Sequence, residues 1–132
     1  MSVDEQKYVN LGELELEVLD VLWEKKVATV KDILDELALR REIAYTTVMT
    51  VMTRLSDKGI LKRHQAGRTY VYKPRLSRHE IAHSFMDRIK DKIFRGNLEG
   101  IMSYMITCET LTLDDLDRLR DLIREKEQEN HD

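Results

Sequence analysis

Residues 45–74 read YTTVMTVMTRLSDKGILKRHQAGRTYVYKP, and the repeat of the apolar residues changes partway along this stretch. Over residues 45–58 the apolar side chains recur at helical spacing, and Gly59 is well suited to end a helix in the left-handed conformation. After Gly59, tyrosines alternate with a valine at a period of two, which is typical of a strand. The stretch therefore predicts a helix followed by a β-hairpin with strands 60–65 and 69–73.

Two amphipathic helices precede this stretch. The first begins at Gly12 and the second at Thr29. Each start carries an acidic residue three positions on, Glu15 and Asp32, which can return a hydrogen bond to the backbone of the capping residue. A polar break over residues 40–42 then predicts the turn of a helix-turn-helix. Three helices followed by a basic hairpin is the element order of a winged helix, so the predicted fold class is mainly α with a small β-hairpin.

The outward face of the helix over residues 45–58 has an unusual composition for a solvent-exposed surface. It carries four threonines, although threonine lowers helix propensity and exposed faces ordinarily use Glu, Lys or Ala. Short hydroxyl side chains allow a helix to approach base edges and phosphates closely. The face therefore indicates a helix that lies in a DNA groove; the alternative is that its threonines fill a crowded contact between helices. It consists of Thr46, Thr47, Met49, Thr50, Thr53 and Arg54, of which all except Thr53 are candidate DNA contacts.

Charge is segregated along the chain, although the net charge of −3 argues weakly against nucleic-acid binding. Residues 40–75 hold nine basic and two acidic residues, a net charge of +7, whereas residues 77–132 carry −4. A concentrated basic segment suits phosphate binding because the counterions that it releases supply much of the affinity. A charged run alone more often marks an ordinary solvated face, so this signal supports DNA binding only together with the helix. The hairpin supplies the candidate contacts Lys62, Arg63 and Arg68.

The half of the chain after Pro74 carries helical patterns and no strand pattern. Three amphipathic helices with no sheet to cover form a poor core by themselves, so we expect them to bury their apolar faces against a second copy of the chain. Residues 1–75 are accordingly predicted to be an N-terminal winged-helix DNA-binding domain, and residues 76–132 a C-terminal helical dimerisation region. The candidate dimerisation residues are Ile81, Phe85, Ile89 and Ile93 at successive i+4 positions, then Ile101, Met105, Leu116, Leu119 and Leu122.

Residues 79–83 read HEIAH, which matches the HExxH signature of zinc proteases. The spacing places both histidines on one helix face, but a catalytic zinc also needs a third ligand and a cleft around the glutamate. Glu80 can already cap a helix together with Ser77, and the only later histidine is His131. We interpret the motif as two solvent-facing histidines at a helix start, and we predict neither an enzyme, nor a metal site, nor a cofactor.

Composition and the opening residues also indicate the cellular compartment in which the protein works. No apolar run approaches the about 20 residues needed to cross a bilayer, so no membrane insertion is predicted. The single cysteine, Cys108, excludes an internal disulfide and a zinc site made of several cysteines. The opening MSVDEQKYVN is acidic and polar, unlike a secretory signal. Together these features predict a cytoplasmic protein.

Four stretches of the chain resemble the penicillinase-repressor family of winged-helix proteins, which includes β-lactamase and methicillin-resistance repressors and copper-responsive relatives. They are LGELELEVLDVLW over 11–23, YTTVMTVMTRLSDKG over 45–59, GRTYVYKP over 67–74 and LTLDDLDRLRDLI over 111–123. The resemblance implies a sequence-specific transcriptional repressor that binds a palindromic DNA operator as a homodimer, with its third helix in the major groove. By position it assigns groove and phosphate contacts to Thr46, Thr47, Thr50 and Arg54, and a wing contact to Arg68.

Met49 departs from the family pattern, because the penicillin-resistance repressors tend to carry a basic, base-reading residue at that position. A methionine can make only apolar contact, for instance with the methyl group of thymine. The operator of those repressors therefore does not carry over directly to this chain.

The resemblance also implies how repression is relieved. Family repressors of β-lactam resistance are inactivated by proteolysis within the C-terminal helices, in response to a membrane sensor-protease, at a bond that is typically Asn-Phe. The corresponding stretch here is SYMI over residues 103–106, so the same signal is absent. Copper-responsive members carry paired cysteines, whereas Cys108 stands alone. The family thus implies relief by inactivation of the dimer. The sequence itself places the expected cut in the stretch between residues 96 and 112, which has a glycine-interrupted start and weaker capping than its neighbours. The alternative is a constitutive dimer whose occupancy of DNA varies only with its concentration.

A different class of protein stays open at this point, namely a winged-helix adaptor that binds proteins and no operator. An adaptor would explain the fold but not the +7 charge of residues 40–75. Its binding would also lack a steep dependence on salt, which distinguishes it from a DNA-binding repressor.

Overall fold

The structure, a computed structural model, describes residues 10–108 and 111–131. Residues 1–9, on which the expectation of no secretory signal rests, lie outside that description. None of the described helices is both long enough and apolar enough to cross a membrane. The chain divides into two compact units, Met1–Met86 and Asp87–Asp132. The elements are α1 Glu13–Lys25, α2 Val30–Leu37, α3 Tyr45–Asp57, β1 Leu61–Ala66, β2 Thr69–Pro74, α4 Arg78–Arg88, a π-helical turn Ile89–Ile93, α5 Leu98–Thr107 and α6 Leu113–His131.

The predicted fold class, mainly α with a small β-hairpin, is confirmed. In the N-terminal unit α1, α2 and α3 share one apolar core, because each carries an apolar stripe along one face. Removal of these stripes from water is the main favourable contribution to folding. The fully buried side chains contributed by the three helices are Val18, Leu19, Leu22, Ile33, Leu37, Val48, Met52 and Leu55.

Carboxylates three residues beyond the capping position fix where α1 and α2 begin, one-way in α1 and reciprocally in α2. The Gly12 N–H donates to Oε1 of Glu15 at 3.1 Å. Thr29 and Asp32 exchange two bonds of 3.0 and 3.1 Å between backbone and side chain. These bonds satisfy backbone donors that a helix start otherwise leaves without a partner. Both starts, and the left-handed Gly59 with a φ of 78° after α3, confirm the sequence predictions.

β1 and β2 form an antiparallel hairpin in which Ala66 pairs with Thr69. The loop is therefore Gly67 and Arg68 alone, shorter by Ala66 than the sequence predicts. Gly67 has a φ of 66°, and Arg68 is not among the residues of positive φ. A positive φ at the first loop position only is the mark of a type II′ turn, whose twist matches that of the paired strands. Glycine adopts this conformation without steric cost.

A single bridge ties the hairpin to the segment between α1 and α2. The Ala28 N–H donates to the carbonyl oxygen of Tyr72 at 3.0 Å, and the Tyr72 N–H donates to that of Ala28 at 2.8 Å. Both residues are buried. The sequence does not predict this bridge, because one residue between two helices has no periodicity to detect. The bridge fixes the base of the hairpin against the three helices.

The first turns of α4 pack on the rest of the N-terminal unit. The indole Nε1 of Trp23 donates to the carbonyl oxygen of Leu76 at 3.0 Å, and the Arg78 guanidinium lies 4.9 Å from the centre of the Trp23 ring. Ile81 is 3% exposed and belongs to the apolar core, against which Phe85 packs. Ile81 and Phe85 thus stabilise their own unit, a role that the i+4 pattern does not distinguish from dimerisation.

The C-terminal unit opens with an interruption that the i+4 pattern fails to predict. Ile89–Ile93 form a π-helical turn, after which the Phe94 N–H donates to the carbonyl oxygen of Ile89 at 3.1 Å. A π-helix bonds each residue to the one five positions away, so the wider turn breaks the i+4 register. Ile93 is 71% exposed. The i+4 spacing from Ile81 to Ile93 therefore does not correspond to one continuous α-helix.

Side chains cap both helices of the rest of this unit. Asn97 Oδ1 accepts the Gly100 N–H at 3.1 Å at the start of α5, and Thr112 and Asp115 exchange bonds of 3.0 and 3.1 Å at the start of α6. Ile101 is buried, but most of the other large apolar side chains on the two helices are not. The exposed ones are Leu98, Met102, Tyr104, Met105, Ile106, Leu113, Leu122 and Ile123.

Candidate nucleic-acid interface

The outer face of α3 is exposed to solvent. The opposite side of the helix is buried in the core, which fixes this face toward solvent. Since residues three, four and seven apart share a helix face, Thr46, Thr50 and Thr53 form its centre line. Met49 flanks that line on one side and Arg54 on the other. The side chains that are exposed on this face are Thr46, Thr47, Met49, Thr50, Thr53 and Arg54.

The N-terminus of α3 lacks a side-chain cap. Ala44 occupies the capping position, and its carbonyl oxygen accepts the N–H groups of Thr47 and Val48 at 3.1 and 3.2 Å. No acidic residue lies in the first turn of α3, whereas every other α-helix in the described parts of the chain has one there. The positive end of the helix dipole is therefore not neutralised, and it suits an anion such as phosphate.

The hairpin presents two different faces, because side chains alternate along each strand. Arg63 lies on the face that carries Tyr70 and the buried Tyr72, and its guanidinium carbon is 4.3 Å from the centre of the Tyr70 ring. Lys62 lies on the opposite face, directly across from Lys73. The predicted contacts Lys62 and Arg63 thus point to opposite sides of the hairpin, which is the wing of this fold.

The Lys62–Lys73 pair is unfavourable by itself. Like charges directly across two strands destabilise the pairing. The phosphate backbone of DNA would offset this repulsion by supplying the counter-charge. Lys73 is a candidate contact that sequence reasoning missed, since only the register of the hairpin brings it opposite Lys62.

Part of the basic segment is neutralised inside the protein. Arg41 pairs with Glu17, and Lys58 Nζ lies 3.0 Å from a carboxylate oxygen of Glu15. The cations of α3 and the wing differ from these two. Within residues 10–108 and 111–131, no ion pair involves Arg54, Lys62, Arg63, Arg68 or Lys73.

The HEIAH motif lies at the start of α4. The Ser77 N–H donates to Glu80 Oε1 at 3.3 Å, and the Glu80 N–H donates to Ser77 Oγ at 3.0 Å, so Glu80 caps the helix as predicted. His79 and His83 are both exposed. In the described part of the chain, no group of three or more His, Cys, Asp or Glu side chains is placed to hold a metal ion. The capping role of Glu80 accounts for its place in the motif.

A groove of about 350 Å³ lies between α5 and α6 in the C-terminal unit. Its lining is mostly apolar, and it includes the predicted dimerisation residues Leu116 and Leu119. Met105 and Leu122, predicted for the same role, are exposed outside it. The other lining residues are Met102, Ile106, Arg120, Ile123, Arg124 and Glu127.

Comparison with solved structures agrees with the class that the fold defines, a winged-helix protein. The solution structure of the DNA-binding domain of the repressor BlaI covers 54% of this chain and 87% of that domain, with 30% identity and a TM-score of 0.50. The complex structure of hsRosR-S4 covers 93% of this chain and 95% of that one. Its TM-score is 0.55 at 13% identity, so the likeness concerns the fold alone.

Comparison of sequences identifies the family. The family model described as penicillinase repressor matches residues 11–125. The methicillin resistance regulatory protein MecI of Mammaliicoccus sciuri is 24% identical over 92% of this chain and 99% of its own. The transcriptional regulator BlaI of Mycobacterium tuberculosis is 32% identical over 92% of this chain and 88% of its own. The chain belongs to the penicillinase repressor family, a family of DNA-binding transcriptional repressors, which confirms the resemblance found in its sequence.

Proposed function

We propose that this protein is a sequence-specific transcriptional repressor that binds a palindromic operator in double-stranded DNA as a homodimer in the cytoplasm. The winged helix of each copy reads one half-site, with α3 in the major groove and the hairpin against the phosphate backbone. Symmetric dimers of this kind need half-sites about one helical turn apart, or a multiple of that distance.

The observation that carries the proposal is the exposed surface of α3 and the wing, on which the cations lack acidic partners among the described residues. Buried core residues on the inner side of α3 hold this surface outward. Bound phosphate would offset the repulsion between Lys62 and Lys73, and it would neutralise the positive end of the α3 dipole. DNA binding therefore relieves electrostatic costs that the free protein carries.

The contacts divide into two kinds by their chemistry. Cations bind phosphate and fix the position of the protein without reading sequence, whereas short side chains on a helix in the groove read base edges. We assign the first role to Arg54, Arg68 and the lysines of the wing. We assign the second to the uncharged side chains in the first half of the outer face of α3. The proposed base-reading residues are Thr46, Thr47, Met49 and Thr50.

The test is the salt dependence of DNA binding. A bound sequence is selected from random duplexes with the full chain, and its affinity is measured by fluorescence anisotropy across salt concentrations. Arg54→Gln and Arg68→Gln should each weaken binding to all sequences and reduce the log–log salt slope by roughly one unit per lost phosphate contact. Lys126→Gln, which removes an exposed cation from α6, should leave the slope unchanged.

Two results would contradict the assignment. Unchanged affinity and slope in both arginine variants would show that α3 and the wing are not the contact surface. Failure of the full chain to bind any duplex in a salt-dependent manner would favour a winged-helix adaptor over a repressor.

We further propose that repression is relieved by inactivation of the dimer through proteolysis, with a membrane sensor-protease as the signalling partner. Residues 103–106, which correspond to the family's cleavage region, are exposed on α5. They are also helical, so cleavage needs local opening of α5 before a protease can bind the chain. A cut there would separate α6 from the winged helix.

The test of this proposal is an immunoblot that follows the full-length protein in its own cells before and during cell-wall antibiotic or metal stress. An intact band while the target gene is expressed would refute relief by proteolysis.

A further inference from the structure

Met49 is the only member of the outer face of α3 that is neither a threonine nor a cation. The residue is 44% exposed. On the basis of the proposed operator binding, we propose that Met49 determines specificity by contacting the 5-methyl group of a thymine. Each half-site then requires an A·T pair whose thymine lies against Met49 in the major groove.

A hydrogen bond inside α3 removes one donor from the surroundings of Met49. Thr50 Oγ1 donates to the carbonyl oxygen of Thr46 at 2.8 Å. A hydroxyl has one proton, so Thr50 in this state cannot also donate to a base edge. It presents a methyl group and acceptor lone pairs instead. Thr46, Met49, Thr50 and Thr53 occupy positions i, i+3, i+4 and i+7, so the methyl-bearing side chains adjoin the methionine.

The chemistry of the major groove selects thymine for such a surface. Guanine presents two acceptors there, cytosine a donor, and adenine one of each, whereas thymine adds a methyl group to its acceptor. A methionine has no donor and only a weakly accepting sulfur. Placing it against a purely polar edge would remove water from that edge without replacing the hydrogen bonds, which is unfavourable. The thymine methyl is the one apolar group available, and a flexible thioether adapts well to its position.

The experiment removes the methyl group from the DNA rather than from the protein. A selected operator is resynthesised with each thymidine replaced in turn by deoxyuridine, which keeps base pairing and the major-groove acceptor. Uracil at the proposed position should weaken binding of the full chain about four-fold in one half-site and about fifteen-fold in both, as expected for loss of one buried methyl contact each. Replacements at other positions should have smaller effects.

Substitutions of Met49 assign the effect to its side chain. Met49→Ala should bind the thymine and uracil operators equally, and Met49→Leu should retain most of the discrimination because it keeps an apolar side chain. Met86→Ala is the matched control, since Met86 is also 44% exposed but lies on α4. It should discriminate as the unaltered protein does.

The outcomes separate this inference from the proposed function. If no single uracil weakens salt-dependent operator binding, or if Met49→Ala retains the full discrimination, Met49 does not read a methyl group and the repressor function stands. If the full chain selects no sequence at all, operator binding fails and the inference fails with it.

Discussion

Asp32 shows how a single exposed side chain stabilises a helix start. Its carboxylate accepts the backbone N–H of Thr29 at 3.0 Å, and its own N–H donates to Thr29 Oγ1 at 3.1 Å. The bond from the Thr29 backbone lowers the pKa of Asp32 below its ordinary range, because it favours the charged form of the carboxyl. The Thr112 backbone N–H lowers the pKa of Asp115 in the same way at the start of α6.

The lowered pKa gives Asp32 a defined effect on stability. A carboxyl whose pKa is lower in the folded chain than in the unfolded chain stabilises the fold above the unfolded pKa, and the effect is lost as pH falls through the folded pKa. We therefore expect Asp32→Asn to lower the melting temperature at neutral pH and to have progressively less effect below about pH 4. Melting curves of the two proteins from neutral to acidic pH measure this. A difference that stayed constant with pH would contradict the assigned role of the charge.

Among the elements, α4 is the one that joins the winged helix to the segment carrying the exposed apolar side chains. Its first turns contain Ile81, which is 3% exposed in the N-terminal core. We expect Ile81→Ala to destabilise the protein by about 2–5 kcal/mol, because truncation of a buried isoleucine loses apolar burial and leaves a cavity. The measurement is unfolding by urea, followed by circular dichroism.

The matched control is the same truncation at Ile93, which is 71% exposed. Ile93→Ala should change the stability of the isolated chain by less than about 0.5 kcal/mol. A loss at Ile81 as small as that expected at Ile93 would mean that Ile81 does not belong to the core. A large loss at Ile93 alone would indicate that a second copy of the chain covers it.

The elements also show what sequence can and cannot predict in this protein. The helices α1 to α3 and the hairpin are predictable, because apolar repeats, capping pairs and Gly59 are local signals. The outer face of α3 follows from the same periodicity, so the candidate contacts on α3 are predictable as a group. The bridge at Ala28 and the pairing of Lys62 with Lys73 depend on the register of strands, which no local pattern encodes. The π-helical turn at Ile89–Ile93 lies within an unbroken i+4 repeat and is invisible for that reason.

At the scale of the whole molecule, the two units differ in how much apolar surface they bury. The N-terminal unit places its apolar stripes in a core, whereas α5 and α6 leave large apolar side chains exposed. Exposed apolar surface of this kind commonly marks an interface. A palindromic operator would need the two winged helices to be held together, so a dimer formed through these helices fits the proposed function.

The dimer is testable by placing a charge on its proposed surface. Leu122 on α6 is 59% exposed, so Leu122→Asp should leave the fold of one chain intact while opposing association. Sedimentation should show a monomer, and operator affinity should fall by about 10²–10⁴, because the second half-site contact is no longer linked to the first. Leu39→Asp, at an 81% exposed position in the N-terminal unit, is the control for oligomeric state and should stay dimeric. If Leu122→Asp also stayed dimeric, the surface that joins the two copies would lie elsewhere. If both variants became monomeric, the loss could not be assigned to α6, since a charge far from it would have had the same effect.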